Sequence, residues 1–216
     1  GKITQINQET QKYELLETYE YVTKIPTTST GKVRRELQSL VMTDYKYRRL
    51  VGKAINTNPH VYNLLQQCFM GGYVHSSWIY TDEILENVDS YDETSAYPYV
   101  LVTERFPSTE FKQCYIKRYE EMLKRFAYIV VVRFKNIKCK YYNNFISQSK
   151  CHNIKGAKYD NGRVISADEL EITLTEIDFK FILDTYTCEY EILESWWSMK
   201  NFLPKQFIEF VLQKYV

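Results

Sequence analysis

The chain has 216 residues, 28 of them basic and 27 acidic, for a formal net charge of +1. That length suits one large domain or two small ones and is enough to enclose a real core. The near-neutral balance excludes a global basic field, so any nucleic-acid contact must come from local patches. No apolar run is long enough to cross a bilayer, and no signal peptide is read at the first residues, so a cytoplasmic, non-membrane setting is expected.

In chain order, Leu15, Leu16, Tyr19 and Val22 come first, at helical or mixed spacing. Ser29, Thr30 and Gly31 are turn and cap residues ahead of a helix. Lys32, Arg34 and Arg35 then form the densest early basic cluster, and Lys46, Arg48, Arg49 and Lys53 form a second around Tyr45 and Tyr47. Both clusters read equally as phosphate contacts or as solvated helix faces. Residues 59–70 predict a short helix leading into Gly71-Gly72, a pair that permits positive φ and close backbone approach to a ligand. Residues 73–80 read as a strand or extended loop carrying His75 and Trp78, and His75 reads as a structural histidine.

Residues 89–107 are the centre of the chain. Within them, Asp92-x-x-Ser95-x-Tyr97-Pro98 places a carboxylate at the expected end of an extended segment. A small hydroxyl, an aromatic and a proline follow, and Pro98 fits the first turn of a helix. A turn of this kind leaves backbone N–H groups facing the same space as the carboxylate. A carboxylate can hold Mg²⁺, and the N–H groups can hold phosphates that Mg²⁺ bridges.

These residues resemble motif A of the family B DNA polymerases, Asp-x-x-Ser-Leu-Tyr-Pro-Ser, with Ala96 and Tyr99 replacing the usual leucine and serine. Phe69-Met70-Gly71-Gly72 is similar to the Tyr-x-Gly-Gly segment that precedes motif A in the protein-primed polymerases of bacteriophages and prophages, with Phe69 in place of the tyrosine. The resemblance implies that Asp92 binds both catalytic Mg²⁺ ions, with the backbone carbonyl of Glu93 as a further metal ligand. It implies that Glu93, Ser95, Ala96 and Tyr97 form the nucleotide site. Tyr97 would lie under the sugar and exclude a 2′-hydroxyl. Gly71 and Gly72 are DNA-binding residues by the same carry-over, and Lys32, Arg34 and Arg35, whose counterpart in that family is a loop just after the exonuclease fold, are candidate DNA-binding residues by their charge. The implied partners are primer-template DNA, deoxynucleoside triphosphates and a priming terminal protein.

After this motif, residues 108–125 read as helical and charged. Residues 127–140 are the clearest strand, β-branched at the start and alternating later. Asn161-Gly162 signals a hairpin. Residues 170–174 read as a return strand, Thr175 as an N-cap for a helix over 176–186, and 190–197 as another strand. Pro204 opens a last helix with Phe207, Ile208, Val211 and Leu212 on one face. This order resembles the insertion that contacts DNA and the priming protein in the same family, and Lys112, Lys117, Arg118, Lys135 and Lys138 are its candidate phosphate contacts. The five cysteines are widely spaced, with no C-x-x-C pair, and read as reduced structural thiols.

The expected fold is therefore α+β: a partial polymerase palm, an antiparallel sheet with helices, plus an α+β insertion subdomain. The expected divisions are 1–68 (end of the exonuclease region and linker), 69–107 (palm segment), 108–203 (insertion) and 204–216 (helix toward the fingers). Neither motif B nor motif C, which supplies the second catalytic aspartate, occurs in these residues, nor do the exonuclease motifs. One carboxylate cannot clamp two Mg²⁺ ions about 3.5–4 Å apart. The sequence is thus expected to be an inactive piece of a larger polymerase. The alternative is a stand-alone, non-catalytic nucleic-acid- or protein-binding module on a palm-like scaffold. A nuclease would need clustered acids or a histidine nucleophile, and no such set is found.

Overall fold

The computed structural model describes residues 4–6, 13–15, 29–43, 45, 48–49, 58–74, 80, 82–141 and 144–215. The chain divides into two units, Gly1–Thr43 and Asp44–Val216. In the first, β1 (Thr4–Ile6) pairs antiparallel with β2 (Tyr13–Leu15), so Leu15 belongs to a strand. Helix α1 (Ser29–Thr43) follows, with Ser29, Thr30 and Gly31 inside its first turn rather than ahead of it.

The second unit is α+β. Its described strands are β3 (Phe106–Pro107), β4 (Lys112–Cys114), β5 (Phe126–Cys139), β6 (Cys151–Lys155), β7 (Lys158–Asp160), β8 (Arg163–Thr175) and β9 (Tyr186–Asn201). They form one antiparallel sheet of order β3-β9-β5-β8-β6, with β4 also on β9 and β7 also on β8. The central β5 is the strand read from the sequence, but the alternation expected in its second half is interrupted by a bulge at 135–138, where Asn136 takes φ 51°. Val130, Val132 and Phe134 enter the main core, while Ile129 and Val131 serve a second cluster. β7 and β8 are joined by the expected two-residue turn, in which Asn161 (φ 45°) and Gly162 (φ 73°) both take positive φ.

Helix α2 (Pro59–Cys68) and helix α4 (Glu176–Thr185) cover opposite faces of this sheet. Thr175 caps α4 by accepting a hydrogen bond from the Asp178 N–H at 3.2 Å. The helix buries Phe179 and Ile182 against Val132, Phe134, Leu170 and Ile172 in the main core. Phe179 meets the rings of Tyr190, Tyr119 and Phe134 edge-on at 5.1, 5.5 and 5.9 Å. On the other face, Val61, Leu64 and Cys68 of α2 lie one helical stripe apart and pack on Ile129, Val131 and Trp196. Asn58 caps α2, accepting from the His60 N–H at 2.9 Å. Thr173 Oγ1 donates to Gln67 Oε1 at 2.7 Å. A single oxygen of Glu194 meets both His60 Nε2 and Trp196 Nε1 at 2.6 Å.

Beyond α2 the same face is charged, in two cross-strand rows. One runs Lys155, Glu169, Lys135, Glu189 across β6, β8, β5 and β9, and the other runs His152, Glu171, Arg133, Glu191. Lys155 contacts Glu169 at 2.7 Å, and Arg133 contacts Glu171 at 2.7 Å and Glu191 at 3.3 Å.

Two expectations are corrected. Residues 108–125 are not a helix: they form β4, a single 3₁₀ turn at Tyr119–Glu121 and irregular chain. Phe111, Tyr115, Tyr119 and Met122 do have helical spacing, but the edge of β9 takes Lys112–Cys114 as a partner, and tertiary pairing overrides the local pattern. Nor is the segment before Ser95 a strand. Asp82 and Asn87 take positive φ (65° and 58°), and no described strand lies beside residues 83–93. β8 and β9 are longer than the strands expected at 170–174 and 190–197, and the last helix, α5 (Lys205–Tyr215), starts just after Pro204. Residues 75–79, with His75 and Trp78, lie outside the described residues, as do Lys46, Tyr47 and Lys53. Among the described residues, no helix is long and apolar enough to cross a membrane.

Candidate functional site

Helix α3 (Ala96–Thr103) begins two residues before Pro98. Its N-cap, Ser95, sits in the left-handed region (φ 59°, ψ 31°) and makes no side-chain cap bond. The first helical bond closes from the Tyr99 N–H to Ser95 O at 3.0 Å. Pro98 has no N–H, so the Ala96 and Tyr97 N–H groups are the donors at this helix start. Asp92 and Glu93 are exposed on the irregular segment leading into the turn. From residue 82 to residue 104 there are seven carboxylates and no lysine or arginine.

The helix is apolar yet buries none of its residues: Tyr97 is 81% and Tyr99 65% exposed. It lies against α5, and just beyond it the Arg105 guanidinium sits 5.0 Å over the Phe202 ring. Among the described residues, no three histidine, cysteine, aspartate or glutamate side chains converge on a point that could hold a metal ion.

The Gly71-Gly72 segment leaves α2 in an open setting. Gly71 has φ 69°, and a Cβ on either glycine would meet nothing within 4 Å. The chain is then tied to the hairpin by Arg163, which sequence reasoning did not single out. Its guanidinium donates to Phe145 O at 2.8 Å and Val74 O at 3.4 Å, and lies 4.9 Å over the Tyr73 ring. Tyr73 stacks on Phe145 at 6.3 Å, and partial burial pushes its hydroxyl pKa up. Val74 and Arg163 line an open cleft of about 710 Å³ together with Ser147, Ser149 and Asn161. Arg163 and Val74 are 89 positions apart, and no local pattern in the sequence signals such a contact.

Lys32, Arg34 and Arg35 are exposed on α1, in the other unit. Arg48 and Arg49 are exposed, with the Arg48 guanidinium 5.8 Å over Tyr45. Lys112, Lys117 and Arg118 are exposed on and after β4, and Lys117 sits 5.6 Å over Tyr115. Lys135 stands in register between Glu169 and Glu189, which offset its field, whereas Lys138 stands between Ser166 and Thr187. No disulfide joins any of the five cysteines. Burial pushes Cys68 and Cys151 up to about 12 and Cys188 up to about 11, which keeps them protonated and poorly nucleophilic at neutral pH.

No protein-family model matches the sequence, and no curated protein does. The fold is similar to part of Phi29 DNA polymerase. Against its orthorhombic crystal form the TM-score is 0.52 at 14% identity, covering 74% of this chain and 28% of that one. Against Phi29 DNA polymerase complexed with primer-template DNA and incoming nucleotide substrates it is 0.50 at 14% identity, covering 72% and 27%. The chain thus spans a little over a quarter of the length of the polymerase it matches, and the similarity establishes a DNA polymerase-like fold.

Proposed function

We propose that these residues are part of a DNA-directed DNA polymerase of the protein-primed family B type, in a bacteriophage or prophage setting within the bacterial cytoplasm, and that they do not polymerise on their own. One coincidence carries the reading. The chain whose fold is similar to part of Phi29 DNA polymerase also carries Asp92-x-x-Ser95-x-Tyr97-Pro98 at a helix start, twenty positions after Gly72. In this reading Asp92 contributes one carboxylate to a two-Mg²⁺ site that residues outside this chain complete. The Ala96 and Tyr97 N–H groups face the triphosphate, and the exposed Tyr97 ring forms the floor beneath the sugar. A ring there leaves room for hydrogen at C2′ but not for oxygen. Primer-template DNA and deoxynucleoside triphosphates are the partners, and a priming terminal protein is a third.

A second reading, a non-catalytic binding module, draws on the lack of a converging metal-ligand set among the described residues. Primer extension in the full reading frame separates the two. Asp92→Ala should abolish incorporation of every nucleotide. Tyr97→Val should admit ribonucleotides while largely keeping deoxynucleotide insertion. Extension by the Asp92→Ala protein at near the parent rate would remove the site assignment and the polymerase reading with it.

A further inference from the structure

The two charged rows on the sheet alternate in sign and stop at the same place. Lys155, Glu169, Lys135 and Glu189 read plus, minus, plus, minus; Glu171, Arg133 and Glu191 read minus, plus, minus, with His152 beyond Glu171. Both end in a glutamate on β9. That strand is paired along one edge by β5 from Tyr186 to Met199. Its other edge is taken by β4 at Ser195–Trp197 and by β3 at Lys200 and Asn201. At Thr187–Glu191 no described strand pairs with that second edge, and Glu189 and Glu191 are both exposed there. On the opposite face of the same residues, Cys188 and Tyr190 are half-buried against the main core.

We propose that the β9 edge at Thr187–Glu191 accepts an extended segment of a protein partner that carries lysine or arginine at alternate positions with apolar residues between them. The strand supplies the backbone ladder. Alternate side chains of the guest continue both charge rows with the missing cation, and the intervening ones extend the apolar face beside Tyr190. A second copy of this chain does not fit: antiparallel self-pairing at this edge sets glutamate against glutamate, which is unfavourable. Nucleic acid is disfavoured by the same two carboxylates. This inference does not depend on the polymerase reading.

The test uses the whole chain and three fluorescein-labelled octapeptides: alternating lysine and valine, alternating glutamate and valine, and the lysine–valine composition with its lysines in one block. The alternating lysine peptide should bind, and hydrogen–deuterium exchange should show protection concentrated in 187–191. Turning two cross-strand charge pairs from attraction to repulsion should weaken binding of the glutamate peptide roughly tenfold. The block peptide should bind without protecting 187–191. In Glu189→Lys the preference for lysine over glutamate should shrink, and in Glu189→Lys/Glu191→Lys it should reverse. The peptide comparisons on the unaltered chain stand even if the double variant does not fold. Equal affinity for the two alternating peptides, or protection that falls elsewhere, overturns the proposal.

Discussion

Phe179 is the side chain whose loss should be felt most. It has no exposed surface, and it holds α4 to the sheet through the rings of Tyr190, Tyr119 and Phe134. Phe→Ala in a rigid core costs about 3–5 kcal/mol, transfer and cavity together. Edge-on ring contacts of this kind add about 0.5–1.5 kcal/mol per pair beyond area burial, which places this site toward the upper half of that range. A loss of about 4 kcal/mol is a large part of the roughly 5–15 kcal/mol that holds a domain folded. With a urea slope of about 2 kcal/mol/M, the midpoint should fall by about 2 M. The assay is urea unfolding followed by tryptophan fluorescence, since Trp196 and Trp197 lie in β9. Ile177, on the same helix but 69% exposed, is the control, and Ile177→Ala should shift the midpoint by about 0.25 M or less. Similar shifts for both variants, or a Phe179→Ala loss under about 1.5 kcal/mol, would refute the claim that α4 is anchored by this ring.

Two further outcomes follow from the backbone and the charged face. Gly162→Ala places a Cβ at φ 73° in the second position of the β7–β8 turn and should cost about 1–2 kcal/mol, read as a lower melting temperature with an unchanged fold by circular dichroism. Hydrogen bonds from Arg133 and then Asn153 hold the Glu171 carboxyl below the usual range, and one from Lys155 does the same for Glu169. A carboxylate depressed in the folded state contributes stability that is fully present above its unfolded value of about 4.3 and is lost as pH falls through its folded value. Arg133→Gln should therefore flatten the acid side of the melting-temperature profile below about pH 5, while a profile parallel to the parent's would show that the pair does not couple to folding.

The fold was legible where one local signal acted alone. Residues 127–140 are rich in β-branched residues, Asn161-Gly162 demands positive φ, and Thr175 with Asp178 marks a helix start; the strand (at 126–139), the turn and the capped helix all appear. Residues 108–125 carried a helical stripe, but the pairing of Lys112–Cys114 with β9 rests on positions more than eighty residues away, which no local pattern contains. The helix after Ser95 was legible from Pro98 and the apolar run, whereas an extended segment before it required a neighbouring strand, and none is described there. Arg163 escaped notice for the same reason as β4: its three contacts gather segments that are distant in sequence. The cross-strand charge rows were equally hidden, because a one-residue shift in register would have dissolved them.

The placement of α2 has a consequence for the order in which the molecule can form. The helix precedes every strand of the sheet it packs on, and its tie from His60 reaches Glu194, 134 positions later. At about 5–20 residues per second of synthesis, roughly 7–27 s pass between the appearance of the two ends of that tie. Ten residues are marginal as an isolated helix in water. For the first half of that interval Val61 and Leu64 have neither β5 nor β9 to cover them, and until β9 emerges they lack Trp196, so α2 should gain lasting protection only after the sheet is complete. Helix α2 is thus a late folding event, and its apolar stripe is a surface open to a chaperone on the nascent chain.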